Sequence, residues 1–212
     1  MKQNDTGLIS ELSRLYPDAG LDLHYRNSFE LLIAVILSAQ CTDERVNKVT
    51  ETFFRIYKTP RDILDTDIQT LEQAIRPTGF FRRKALILKE CCRKLVEEFQ
   101  GKIPANIDEM TSLPGVGRKT AAMVLGNAFR IEEGIAVDTH VKRVVNRLKL
   151  SVQQQPEKIE QDLMRIVPRD KWTFFSNSLI QFGRNICTAR KPDCPGCPFN
   201  DWCPFPEEQS NN

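Results

Sequence analysis

Apolar positions recur with the 3.6-residue period of a helix in every long segment of the chain, and no stretch shows the alternation of a half-buried strand. Leu8, Ile9, Leu12 and Leu15 mark a short N-terminal helix that Pro17 ends. Asn27 or Ser28 can cap a second helix, and its run from Phe29 to Ala39 is apolar on nearly every side. Such a helix belongs in a core. Polarity rises abruptly at Ser38-Ala39-Gln40-Cys41-Thr42-Asp43, where Thr42 or Asp43 caps a helix carrying Val46, Val49, Phe53 and Phe54. The same period predicts helices over Pro60 to Leu64, Asp67 to Ile75, Arg83 to Phe99, Glu157 to Val167 and Trp172 to Ile186. The chain reads as all-α.

One stretch breaks the pattern in an informative way. Leu113-Pro114-Gly115-Val116-Gly117-Arg118-Lys119-Thr120-Ala121 sets two glycines around one apolar residue. Ile107, Met110 and Leu113 are at helical spacing before it, and Arg118 to Phe129 after it. The two glycines can take backbone angles closed to other residues, so the stretch reads as helix, hairpin, helix. Backbone N–H groups of Gly115, Val116, Gly117 and Arg118 and a helix N-terminus are then exposed at the turn, a setting that favours an anion such as phosphate. An ordinary glycine-stopped helix pair would look the same, and Lys119 at the start of the second helix is what favours function.

Further along, Ile135-Ala136-Val137 leads into Asp138-Thr139-His140, and Val141, Val144, Val145 and Leu148 mark a helix with Asp138 as its N-cap or as a working carboxylate. Between two earlier helices, Pro77-Thr78-Gly79-Phe80-Phe81-Arg82-Arg83 reads as a loop whose aromatics and cations suit either base stacking and phosphate contact or simple anchoring.

Composition narrows the class. The 212 residues are 41% hydrophobic and 27% charged, ordinary for a globular protein, and no apolar run is long enough for a membrane span. The polar N-terminus has no signal-peptide core, so a soluble, cytoplasmic protein is expected, nucleoid-associated if bacterial. No feature calls for an oligomer, and a monomer is expected. A net charge of +2 does not announce a nucleic-acid binder, but Arg118 to Lys149 holds seven basic residues against three acidic ones, and Arg82-Arg83-Lys84 forms a second cluster.

Of the seven cysteines, Cys41, Cys91 and Cys92 stand apart as small buried hydrophobes. Cys187, Cys194, Cys197 and Cys203 crowd a short loop rich in proline. Four thiolates there suit a structural metal or an iron–sulfur cluster. Zinc sites usually pair two Cys-x2-Cys units, and only one is present, which tilts the reading toward iron–sulfur. Either centre would order the tail and hold Arg190 and Lys191 on a rigid loop.

Together these motifs, with Leu-Leu-Ile-Ala-Val-Ile-Leu-Ser-Ala-Gln at 31 to 40, resemble the endonuclease III family of DNA repair glycosylases in the helix-hairpin-helix superfamily. The resemblance runs from Phe29 to Cys203 and implies two helical domains with the DNA cleft between them. The first is a six-helix domain, 23–133, with the helix-hairpin-helix motif; the second, 1–22 plus 134–212, is an iron–sulfur cluster domain. It implies Lys119 as nucleophile, Asp138 as catalytic carboxylate, and Cys187, Cys194, Cys197 and Cys203 as ligands of a 4Fe-4S cluster. Gln40 and Phe80 occupy the positions that fill the gap left by a flipped base. The implied activity is removal of oxidised pyrimidines from duplex DNA through a lysine Schiff base, with β-elimination on the 3′ side. An amine attacks sugar C1′ only when unprotonated, which a helix N-terminus and a partly dry cleft favour. The alternatives are a monofunctional mismatch glycosylase, whose members lack the lysine, and a non-catalytic DNA-binding module. Cys41, Phe80-Phe81-Arg82 and Phe174-Phe175-Ser176-Asn177 depart from the family's usual residues.

Overall fold

The computed structural model describes residues 4–206, and every regular element among them is helical. Residues 21–133 form one compact unit, and 4–20 with 134–206 form another.

The 21–133 unit is built around α2 (Ser28–Leu37), where every residue from Phe29 to Leu37 is buried. Asn27 starts it by accepting from the Glu30 N–H at 2.9 Å. Next come α3 (Asp43–Ile56), capped by Thr42, and α4 (Pro60–Asp65), where Thr59 and Asp62 form a capping box with Pro60 in the first turn. Asp67 caps α5 (Ile68–Ile75) rather than lying within it. A 3-10 turn (Arg76–Thr78) leads to α6 (Phe81–Phe99), which packs on α4 and α5. Helix α6 begins two residues earlier than the sequence predicts. Gly79 and Phe80 both take positive φ, 71° and 47°, which turns the chain directly into the helix. Phe81, Arg82 and Arg83 therefore belong to a helical turn, not a loop.

The unit closes with α7 (Ile107–Thr111), capped by Asn106, and α8 (Arg118–Val124), which packs on α2 and α7. The predicted helix from Arg118 to Phe129 is not uniform: Leu125–Phe129 widens into a π turn and stops at Arg130, whose φ is 58°.

In the other unit, α1 (Asn4–Leu15) and α9 (Thr139–Arg147) both pack on α11 (Trp172–Asn185), and α10 (Pro156–Ile166) precedes a 3-10 turn (Arg169–Lys171). Leu12, Val141, Val144, Phe175, Leu179 and Phe182 form its centre. No helix among the described residues is long and apolar enough to cross a membrane.

Candidate active site

The hairpin between α7 and α8 is made by successive tight turns. The Leu113 N–H donates to Met110 O at 3.2 Å and the Val116 N–H to Leu113 O at 3.1 Å. Gly115 alone needs glycine's freedom, with φ of 79°, whereas Gly117 at φ −85° and ψ 172° is ordinary extended backbone. The sequence expectation that both glycines take unusual angles is thus corrected for Gly117. Space separates the two as well. An added Cβ at Gly115 would fall inside contact distance of Ile87 Cγ2, and one at Gly117 would meet nothing within 4 Å. Val116 is buried and its N–H is taken by Leu113 O, so it anchors the turn and, contrary to the sequence expectation, does not present its amide. Gly117 is the N-cap of α8 and supplies no side-chain acceptor, leaving the first amides of the helix uncapped. Arg118 and Lys119 are exposed there. Arg118 Nη2 donates to Glu133 O at 3.3 Å, and Glu133 Oε2 accepts from the Ile107 N–H at 3.0 Å, tying both helices of the hairpin to one residue.

Two further positions expected to touch DNA share an unusual backbone. Gln40 (φ 54°) and Phe80 (φ 47°) are both left-handed without being glycine, and both are exposed, Phe80 to 63%. A large exposed aromatic on a constrained turn is a feature that packing does not require. Arg82 is exposed, its guanidinium 5.4 Å from the Phe81 ring centre. Lys84 does not join Arg82 and Arg83 on the surface: it is buried, and burial lowers its pKa. The basic cluster 82–84 is therefore a pair of surface arginines and one internal lysine.

Asp138 lies in the other unit from Lys119. It is half-buried and caps α9, with Oδ1 accepting from the Val141 N–H at 2.8 Å. The capping role holds one oxygen and leaves Oδ2 for other work. His140, two residues on, has its pKa lowered chiefly by burial, with Arg143 and Arg184 adding to the effect and Asp138 opposing it. Arg143 Nη2 lies 3.3 Å from His140 Nδ1, and since a guanidinium can only donate, that nitrogen accepts.

Arg143 and Arg147, one turn apart on α9, reach toward the cysteine segment. Arg143 donates to Gly183 O at 2.7 Å and to Cys187 O at 3.1 Å. Arg147 donates to Cys187 Sγ at 3.2 Å, Thr188 O at 2.7 Å and Ala189 O at 3.0 Å, and stacks 4.0 Å from the Phe205 ring centre. These two cations are committed to their own unit, so the basic excess between Arg118 and Lys149 is only partly a surface feature. Arg190 and Lys191 are exposed on the same segment, where Thr188 Oγ1 donates to Lys191 O at 2.6 Å.

None of the seven cysteines forms a disulfide. Cys91 and Cys92 are fully buried, and burial pushes the Cys91 thiol up to about 12, so both are inert core residues. Cys187, Cys194, Cys197 and Cys203 line one pocket with Phe182 and Phe205. Burial, then the neighbouring cysteines, raises the Cys197 thiol to about 11, and the same causes push the Cys203 thiol up. Four sulfurs sharing an apolar cavity resist becoming thiolates unless a cation compensates them. Four cysteine sulfurs lining one apolar pocket are a donor set that fits an iron–sulfur cluster.

Comparison with known proteins agrees with this geometry. Residues 33–169 match the family model of the HhH-GPD superfamily base excision DNA repair proteins, and residues 187–203 match the iron–sulfur binding domain of endonuclease III. The chain is 48% identical to endonuclease III of Synechocystis sp. over 203 residues, covering 96% of this chain and 93% of that protein. It is 37% identical to that of Escherichia coli K12, covering 95% of each. Among solved structures it is similar to a trapped endonuclease III–DNA covalent intermediate, at 42% identity and TM-score 0.94 over 99% of each chain. A thermostable thymine-DNA glycosylase is similar at 28% identity and TM-score 0.88, over 96% of this chain and 97% of that one.

Proposed function

The chain belongs to the HhH-GPD superfamily of base excision DNA repair proteins and, within it, to the endonuclease III family, and from that membership we propose that Lys119 and Asp138 carry its chemistry on duplex DNA. It is a DNA glycosylase and AP lyase with a 4Fe-4S cluster in the segment 187–203. Its substrates are oxidised pyrimidines, met in cytoplasmic or nucleoid DNA.

The observation that supports Lys119 most is its place at an exposed helix start that no side chain caps, directly after the Gly115 turn. Amides at 117 to 119 take a DNA phosphate, while the adjacent amine meets the sugar of a nucleotide turned out of the stack. The unprotonated Nζ forms a bond to C1′ as the C1′–N bond to the base breaks, and the base leaves with a proton. Opening of the C1′–O4′ bond gives a protonated Schiff base. Asp138, with Oδ2 outside its capping bond, stabilises positive charge developing on the sugar and moves protons. Loss of a C2′ proton then expels the 3′ phosphate by breaking C3′–O3′, and water releases Lys119.

Gln40 and Phe80 fill the vacated space in the duplex, and Arg82, Arg118, Arg190 and Lys191 meet phosphates. The cluster, when bound, cross-links Cys187, Cys194, Cys197 and Cys203 and so orders the segment bearing Arg190 and Lys191. Borohydride trapping on duplex DNA containing thymine glycol tests the assignment. The wild-type chain should yield a covalent adduct and Lys119→Ala none; an adduct of equal yield in the variant removes Lys119 from its role.

A further inference from the structure

Lys84 lies in the first turn of α6 and is 4% exposed. Its Nζ donates to Leu37 O and to Thr78 O, both at 2.8 Å. Leu37 is the last residue of α2, three before Gln40; Thr78 ends the 3-10 turn, two before Phe80. One nitrogen therefore holds the two backbone segments from which Gln40 and Phe80 project. Both of those residues adopt left-handed conformations, which persist only where surrounding contacts over-determine them. Burying a lysine for stability alone is a poor exchange, because an apolar side chain of similar volume packs without the cost of taking an amine out of water. What an apolar side chain cannot supply is a fixed spacing between two carbonyls.

We infer that Lys84 is a positioning residue that locks the 38–41 turn and the 78–80 turn into one rigid probe of the DNA stack. The inference rests on the reading of Gln40 and Phe80 as gap-filling residues. Helix α6 offers its own comparison: Lys89 Nζ donates to Leu64 O at 2.6 Å and to Thr66 O, the same kind of contact at the end of α4, away from either turn.

The test uses the holoenzyme and a duplex with 2-aminopurine opposite thymine glycol, read by fluorescence as the pair opens and by single-turnover excision. Lys84→Met should lower excision and the fluorescence amplitude by about tenfold, the scale of losing charge-assisted hydrogen bonds. Lys89→Met, which also loses two carbonyl contacts, should lower the melting temperature and change neither reading. Equal excision rates in the two variants would overturn the inference. If Lys84→Met gives no folded protein, Lys84→Gln, whose amide keeps N–H donors on a shorter chain, is held to the same comparison. Gln40→Ala and Phe80→Ala separate the two layers. Should both leave fluorescence and excision unchanged, the gap-filling reading falls and the inference with it. Should both lower them while Lys84→Met does not, the inference about Lys84 alone is wrong.

Discussion

Gly115→Ala and Gly117→Ala add the same methyl group to the two glycines of one hairpin, yet the structure assigns them opposite consequences. At Gly115 the methyl must be carried at φ 79° and pressed against Ile87 Cγ2. Left-handed backbone costs an L-residue roughly 1–2 kcal/mol and overpacking roughly 1–3 kcal/mol, against a gain of roughly 0.4–1 kcal/mol from a stiffer unfolded chain. The net is about 2–4 kcal/mol, which for a chain of this length lowers the melting temperature by roughly 4–16 °C. At Gly117, with φ −85° and open space, the same gain is offset by the poorer N-cap that alanine makes, and the melting temperature should stay within about two degrees. DNA binding reverses part of the contrast. A Cβ between the Gly117 amide and a phosphate blocks a charge-assisted hydrogen bond, so affinity for an abasic duplex should fall about tenfold. Circular dichroism melts and fluorescence anisotropy read the two effects separately. Adding Ile87→Ala to Gly115→Ala removes Cγ2 and should recover the overpacking share, leaving the backbone share in place. Equal melting temperatures for the two alanine variants would refute the reasoning.

Asp138→Asn keeps a good N-cap and should leave stability nearly unchanged, whereas Asp138→Ala should cost about 1 kcal/mol; both should slow single-turnover excision about a hundredfold. Normal excision by the Asn variant would reduce Asp138 to a cap. His140, held neutral by burial, binds fewer protons folded than unfolded as pH falls below its ordinary value of 6.5. Stability should therefore drop on acidification by at most about 1.4 kcal/mol per pH unit, and level off below the lowered folded value. Denaturant titrations should show a shallower slope for His140→Gln, and parallel profiles would contradict this. Arg147→Met removes the donors to Cys187 Sγ, Thr188 O and Ala189 O, so a chelator should strip iron about tenfold faster, followed by visible absorbance. An unchanged rate would show that the thiolate bonds alone hold the segment.

How much of this was legible beforehand follows from the range of each interaction. Asn27 and Thr42 cap helices through bonds to amides three residues away, so short-range sequence patterns identify them. The all-helical class and the cysteine segment were readable for the same reason. Local sequence groups Lys84 with Arg82 and Arg83, because the partner that draws it inside, Leu37 O, is 47 residues away. Arg143 and Arg147 were counted as surface charge, but their acceptors lie 40 to 44 residues further along. Their only local signal is a spacing of four on one helix face. Left-handed Gln40 and Phe80 run against local preference and could be found only through the contacts that hold them. The early start of α6 follows from the same turn.

The central claim is that Lys119 forms the covalent bond to the sugar, and mapping the borohydride-reduced adduct tests it most directly. Digestion of the DNA and protein followed by tandem mass spectrometry should find the reduced sugar remnant on the peptide containing Lys119, at its side-chain nitrogen. A remnant carried instead by Lys142, Lys191 or the N-terminal amine, with Lys119 unmodified, would contradict it.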